Sequence, residues 1–312
     1  MIEKNIKNLI PIVYHEGYST DFPIEHRFVM RKFPLLVELL QKESILRDNN
    51  LYTPELIGRE ELLLAHEKNY VDRVLDGNLS KEELREMGLP YSQGLIDRVI
   101  WEVSGTILAG EIALKTGIAC NAGGGTHHAH PGKASGFCIF NDIATAIRVL
   151  QFRKKIKTAL IIDLDVHQGD GNNAFFNEDN SVYVFSMHGE KNFPLRKVKG
   201  DLDIALPDEI GDLEYMKILK ETLPEILDKF TPDLVFYDAG IDPFEGDTLG
   251  KLSLSEQGLL ERDIYVLNTL CNHGLPVATV IGGGYDKDHY ALAHRHGIIF
   301  RAAEVVYGGL LD

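Results

Sequence analysis

Ala159-Leu160-Ile161-Ile162-Asp163-Leu164-Asp165-Val166-His167-Gln168-Gly169-Asp170-Gly171 is the stretch on which the fold turns. Its first half is near-continuously apolar, the pattern of a parallel strand covered on both faces. Its second half is polar and glycine-rich, so the chain leaves the sheet there carrying reactive side chains. Four other stretches repeat this layout. Ile118–Ala122 runs into Gly123-Gly124-Gly125-Thr126-His127-His128, and Val182–Phe185 ends at Ser186-Met187-His188. Leu234–Tyr237 ends at Asp238-Ala239-Gly240-Ile241-Asp242, and Val277–Ile281 ends at Gly282-Gly283-Gly284-Tyr285. Helical patterns at Leu95–Leu114, Ile143–Phe152, Tyr215–Phe230 and Leu254–Asn272 lie between them, with Pro224 expected to kink or divide the third. Alternating strand and helix predicts an α/β fold: a single three-layer domain over residues 1–312, with a mainly parallel central sheet and helices on both faces. Ligands bind beyond the carboxyl ends of strands in such sheets, so the five polar clusters are expected to converge on one site.

Composition narrows the partners. Lys plus Arg total 32 against 47 Asp plus Glu, a net charge of −15. Phosphate binding needs a basic footprint, so nucleic acid is excluded as the main partner, as is an anionic membrane surface. A cationic partner, such as a lysine-bearing peptide or a polyamine, fits an acidic protein. Met1–Ile12 lacks signal-peptide architecture, its short apolar run being broken by Lys4, Lys7 and Asn8. No apolar run approaches the roughly 20 residues that span a bilayer. Three cysteines (Cys120, Cys138 and Cys271) without paired spacing argue against a disulfide framework, so a cytoplasmic location is expected.

The residue types at the strand ends point to metal and proton chemistry. On a regular strand Asp163, Asp165 and His167 share a face, and two carboxylates with an imidazole suit a divalent ion. Asp242, at the end of another strand, can add an oxygen. An isolated D-x-H more often caps a helix or pairs internally; here the other strand ends favour the metal. His127 and His128 follow three glycines that free both rings to enter one pocket, where a pair titrating near neutrality suits proton transfer. Asp163 and Asp170 are available to fix their far nitrogens. Tyr285 can donate to a developing oxyanion, although an isolated tyrosine is more often packed at a sheet edge. Cys138 reads as a small buried wall residue, not a nucleophile. Gly169-Asp170-Gly171-Asn172-Asn173-Ala174 matches a dinucleotide fingerprint, but Asp165, His167 and Asp170 would repel a pyrophosphate there. His294-Arg295-His296 reads as surface or structural.

Assembled, these motifs resemble the zinc-dependent histone deacetylase family of the arginase/deacetylase fold. Gly124-Gly125-Thr126-His127-His128-Ala129 is similar to its paired-histidine motif, and Asp163–Gly171 to its metal strand. Ser135–Ile143 is similar to the segment lining its acyl tunnel, while Asp242–Asp247 and Gly282–Tyr285 complete the set. Gln168 and the Glu245–Gly250 stretch look closest to the class IV and bacterial branch. The resemblance implies one zinc per chain on Asp165, His167 and Asp242. His128 would be the principal general base and acid, oriented by Asp170, with His127 held by Asp163 and Tyr285 stabilising the oxyanion. It implies a substrate site at Gly136, Phe137, Phe193 and Leu249, and a structural K+ site at Asp163, Asp165, His167, Ser186 and Met187. The implied substrate is an acylated lysine in a protein or peptide, with acetyl favoured over longer acyl groups, or a small acylated amine such as an acetylpolyamine. Two rivals are a binuclear manganese ureohydrolase, which would want carboxylates where His127 and His128 stand, and a non-catalytic acyl-lysine binder.

Overall fold

The computed structural model of the chain describes residues 9–308; residues 1–8 and 309–312, and with them most of the Met1–Ile12 segment, lie outside the described residues. Eight strands form one sheet: β1 (Ile12–Val13), β2 (Leu51–Tyr52), β3 (Ile118–Asn121), β4 (Ala159–Asp163), β5 (Val182–Gly189), β6 (Leu202–Leu206), β7 (Leu234–Asp238) and β8 (Val277–Val280). Their order is β2-β1-β3-β8-β7-β4-β5-β6, and every neighbouring pair is parallel. The sheet of the described residues is therefore wholly parallel. The five runs read from the sequence are β3, β8, β7, β4 and β5, which are contiguous in the middle of the sheet. That is where both faces are covered and the apolar run is longest: β4 and β7 are buried at every residue. β1 and β2 are too short to leave a pattern, and β6, at the edge, is mostly half-buried.

The three layers follow from strand alternation. Neighbours on a strand face opposite ways, and in β7 Phe236 meets Gly110 of the helix Gln93–Thr116, whereas the Tyr237 hydroxyl donates to Asp263 of the helix Glu256–Asn272 at 2.6 Å. These two helices therefore cover opposite faces. The helix Asp142–Phe152 packs with the first of them, and Ile298–Tyr307 with the second. The helix Asp212–Lys229 runs through Pro224 without dividing. A helical proline costs about 3 kcal/mol, and the apolar face buried on both sides of it (Tyr215, Met216, Leu219, Leu223, Ile226 and Leu227) offsets that.

Register sets up the site. β4 pairs Asp163 with Asp238 of β7 on one side and with Ser186 of β5 on the other, so β4 and β7 end at one level while β5 runs on to Gly189. β4 ends at Asp163. Asp165 and His167 are therefore brought round by the following turn, not by the strand alternation expected for them. Among the described residues no helix is long and apolar enough to cross a membrane.

Candidate active site

The glycine-rich turn after β3 is tied down from outside. The Asp142 carboxylate, at the start of the helix Asp142–Phe152, accepts from the Thr126 backbone and hydroxyl at 2.8 and 2.6 Å and from the Gly125 backbone at 3.2 Å. Gly125 has φ +88°, and a Cβ there would lie 2.5 Å from the Gly282 backbone, so only glycine fits. Gly171 is needed for a different reason: a Cβ would sit 2.3 Å from the Ala129 carbonyl, where the helix Asp170–Phe176 presses on the histidine turn.

Held this way, His127 and His128 lie side by side with ring centroids 4.1 Å apart and planes tilted by 51°, both buried. Nδ1 of His127 lies 2.8 Å from Asp163, and Nδ1 of His128 lies 2.6 Å from Asp170. Asp170 also meets His130 Nε2 at 2.8 Å. The dinucleotide-like stretch thus places at its helix start a carboxylate committed to two histidines.

Beside them lie two groups of potential metal donors, each with atoms within 4.8 Å of one another: Asp165, His167 and Asp242, and His127, Asp163 and Asp238. His167 Nδ1 is 3.0 Å from Asp165 and 2.9 Å from Asp242, whose other oxygen accepts from the Val166 backbone at 2.8 Å. The Gly283 backbone donates to Asp165 at 2.7 Å. Two carboxylates closing on one ring nitrogen is a donor set that fits a divalent ion.

Burial and neighbouring charge divide these groups. Burial, with the like charge of His127, pushes His128 down to about 4, so its ring is neutral at pH 7. Burial opposes the charged form of His127 too, but Asp163 and Asp165 hold it well above its ordinary value. His167 is likewise raised against burial, to about 10, chiefly by Asp242. Burial and then Asp165 raise Asp242 to about 7. Tyr285 is pushed well above 10 by burial and then by Asp242, so its phenol stays a donor. Its backbone N–H donates to Asp247 at 2.7 Å.

His127, His128, Tyr285, Phe137 and Cys138 share one narrow cavity of about 30 Å³. Gly136 (φ +53°) and Phe137 (φ +68°) form its outer lip, and a Cβ on Gly136 would lie 2.6 Å from the His128 ring. Phe193, 42% exposed, stands edge-on to His128 at 4.8 Å, and Phe137 is 6.1 Å from Tyr285. Leu249 borders a separate surface hollow of about 570 Å³ together with Ile24 and Arg27. Of the expected K+ set, Asp163 and Ser186 are side by side, Met187 is buried next to them, and Asp165 and His167 turn toward Asp242. Ser186 Oγ is 2.9 Å from His188 Nδ1. Cys138 is buried, and burial raises its thiol well above the ordinary value.

Four residues near the site escaped the sequence reading. Asp238 is fully buried with neither carboxylate oxygen hydrogen-bonded, and burial followed by Asp163 holds it well above the usual carboxylate range. Its place at the end of an apolar run was the available signal. His130, Asp247 and Lys32 carried no signal of comparable strength. His294-Arg295-His296 divides between the surface and structural readings: His294 is exposed, His296 is fully buried, and Arg295 pairs with Asp286 and Glu256.

The sequence pattern of the histone deacetylase domain matches residues 26–298. The chain is 48% identical to an uncharacterized protein of a Picosynechococcus species, over 95% of this chain and 99% of that one. It is 31% identical to histone deacetylase 2 of Arabidopsis thaliana, over 89% of this chain and 75% of that one. The crystal structure of an HDAC homolog complexed with SAHA superimposes with a TM-score of 0.83 at 28% identity, covering 96% of this chain and 84% of that one. Sequence and fold agree: the chain belongs to the histone deacetylase family and is a hydrolase acting on amides.

Proposed function

We propose that the protein is a zinc-dependent amidohydrolase that removes acetyl groups from lysine side chains of proteins or peptides, or from small acylated amines. The observation that carries this reading is the neutral His128, fixed by Asp170 at Nδ1 and sharing a narrow cavity with Tyr285, beside the Asp165–His167–Asp242 donor set. Zinc held by those three residues would supply a Lewis acid and lower the pKa of water. His128 accepts a proton from the attacking water at Nε2 and returns it to the leaving amine. His127, kept charged by Asp163, adds positive potential beside the reacting carbonyl. Tyr285 donates its phenolic proton in a hydrogen bond to the carbonyl oxygen as negative charge builds there. Phe137 and Phe193 flank the lysine stem. Three free thiols fit a cytoplasmic location, and Asp163 with Ser186 is the start of a K+ site.

A fluorogenic acetyl-lysine peptide and an acetylpolyamine, each offered to the zinc-loaded protein, test the activity and separate the two substrate types. No turnover of either would remove the reading. The second donor group, His127, Asp163 and Asp238, favours a binuclear alternative. Metal analysis decides: one tight zinc per chain, lost in Asp242→Ala, supports the proposal, and two manganese ions per chain overturn it.

A further inference from the structure

Lys32 is the first residue of the helix Lys32–Lys42, yet it is only 3% exposed and it lines the same cavity as His127, His128 and Tyr285. A buried ammonium has three donors to satisfy. Among the described residues the Lys32 ammonium makes one hydrogen bond, to the Gly282 carbonyl at 3.4 Å, with the rings of Phe28 and Phe33 each 5.4 Å away on the apolar side. The neighbouring charges are already spent. Arg98 and Glu102 form a two-pronged pair at 3.0 and 2.7 Å; Arg98 also donates to the Tyr18 carbonyl, and Glu102 accepts from the Gly124 backbone. Asp165 and Asp242 are engaged with His167. Burial lowers Lys32 to about 8, which leaves it an ammonium at neutral pH. An under-bonded buried charge is costly, and such violations concentrate where a ligand completes the set.

We propose that Lys32 makes the inner end of the acyl pocket a carboxylate-binding site, so that beyond acetyl it takes a succinyl-type acyl group in preference to a hydrocarbon tail of equal reach. The inference rests on the deacylase reading above. The whole cavity that Lys32 shares with His128 and Tyr285 is about 30 Å³, room for about two waters. A space that small excludes a fatty chain and leaves terminal chemistry to decide among short acyl groups. A butyryl methyl would seal Lys32 from water and offer it nothing. A carboxylate in the same place gives a charge-assisted hydrogen bond. The reaction is unchanged in balance: water adds to the acyl carbon, the C–N bond breaks, the amine takes the proton, and lysine and succinate leave.

The test uses one lysine peptide carrying acetyl, butyryl or succinyl, with the metal-loaded full chain. In the native protein kcat/KM for succinyl should exceed that for butyryl by tenfold or more. Lys32→Met should bring the ratio to one or below, while Lys32→Arg keeps it above one. A native ratio of one or less overturns the proposal even if Lys32→Met does not fold. So does an unchanged ratio in Lys32→Met. Acetyl turnover with either result leaves the deacylase reading standing, whereas no turnover of any acyl group removes both. Product acetate offers the same chemical group. Inhibition by acetate that weakens in Lys32→Met, without a succinyl preference, would assign Lys32 to the product and overturn the substrate assignment.

Discussion

His127 and His128 are neighbours in sequence, both are buried, and each presents Nδ1 to an aspartate at under 3 Å, yet they titrate in opposite directions. The immediate partner does not account for this. His127 has Asp165 and Asp238 each 3.8 Å away in addition to Asp163. His128 has one carboxylate, shared with His130, and faces the like charges of His127 and His167. Two rings of the same type become a fixed charge and a proton acceptor because the next shell of charges differs. For a ring this deeply buried, desolvation sets the default toward neutral, and only a surplus of carboxylate reverses it.

The largest expected effect tests the acceptor. His128→Ala should lower kcat by about 10²–10⁴-fold with zinc still bound, the usual worth of a positioned acid–base group. A kcat within threefold of native in a steady-state assay would break the division of roles. Next is Tyr285→Phe, with an expected loss of about 10²–10³ in kcat and little change in KM or bound zinc. Unchanged turnover would make Tyr285 a packing residue.

The metal side of the comparison is tested by competition with protons. His167, at about 10, is protonated without metal at neutral pH, and Asp242, at about 7, joins it at lower pH. Binding must displace these protons, so zinc affinity should rise about tenfold per pH unit between pH 7 and 9 and more steeply below 7. Titration with a metal-buffered indicator reads the slope; a flat profile would show that the ion does not use these donors. His127→Ala removes the like charge beside His128, so the acid limb of the kcat/KM profile should move up by about one pH unit. A fixed or downward-moving limb would show that His127 is not charged in the working enzyme. The smallest effect is expected for His130→Ala. Loss of one hydrogen bond to Asp170, about 0.5–1.5 kcal/mol, should lower kcat severalfold and leave zinc in place.

The central strands were legible because each is covered on both faces, which forces an uninterrupted apolar run whatever the rest of the chain does. The edge strand β6 and the two-residue β1 and β2 lack that burden and left no pattern. The same logic applies to the site. Asp163, Asp165, His167 and Asp242 stand out because polar residues directly after an apolar run have few structural reasons to be there. Asp170 and Tyr285 stand out in the same way. Asp238 met the same criterion and was passed over in favour of Asp242 four residues on.

Sequence alone determined the order of elements and the residue types at each strand end, since both follow from local periodicity and local chemistry. Which charges face one another was decided only by the tertiary structure. The parallel register sets Asp163 beside Asp238, 75 positions apart, and the turn after β4 swings Asp165 and His167 onto Asp242. The net charge of −15 pointed to cationic partners, but it is a sum over the surface. The pocket answers to Lys32, carried in from the start of the helix Lys32–Lys42 and stripped of water, where one unpaired charge outweighs a distant excess of the other sign.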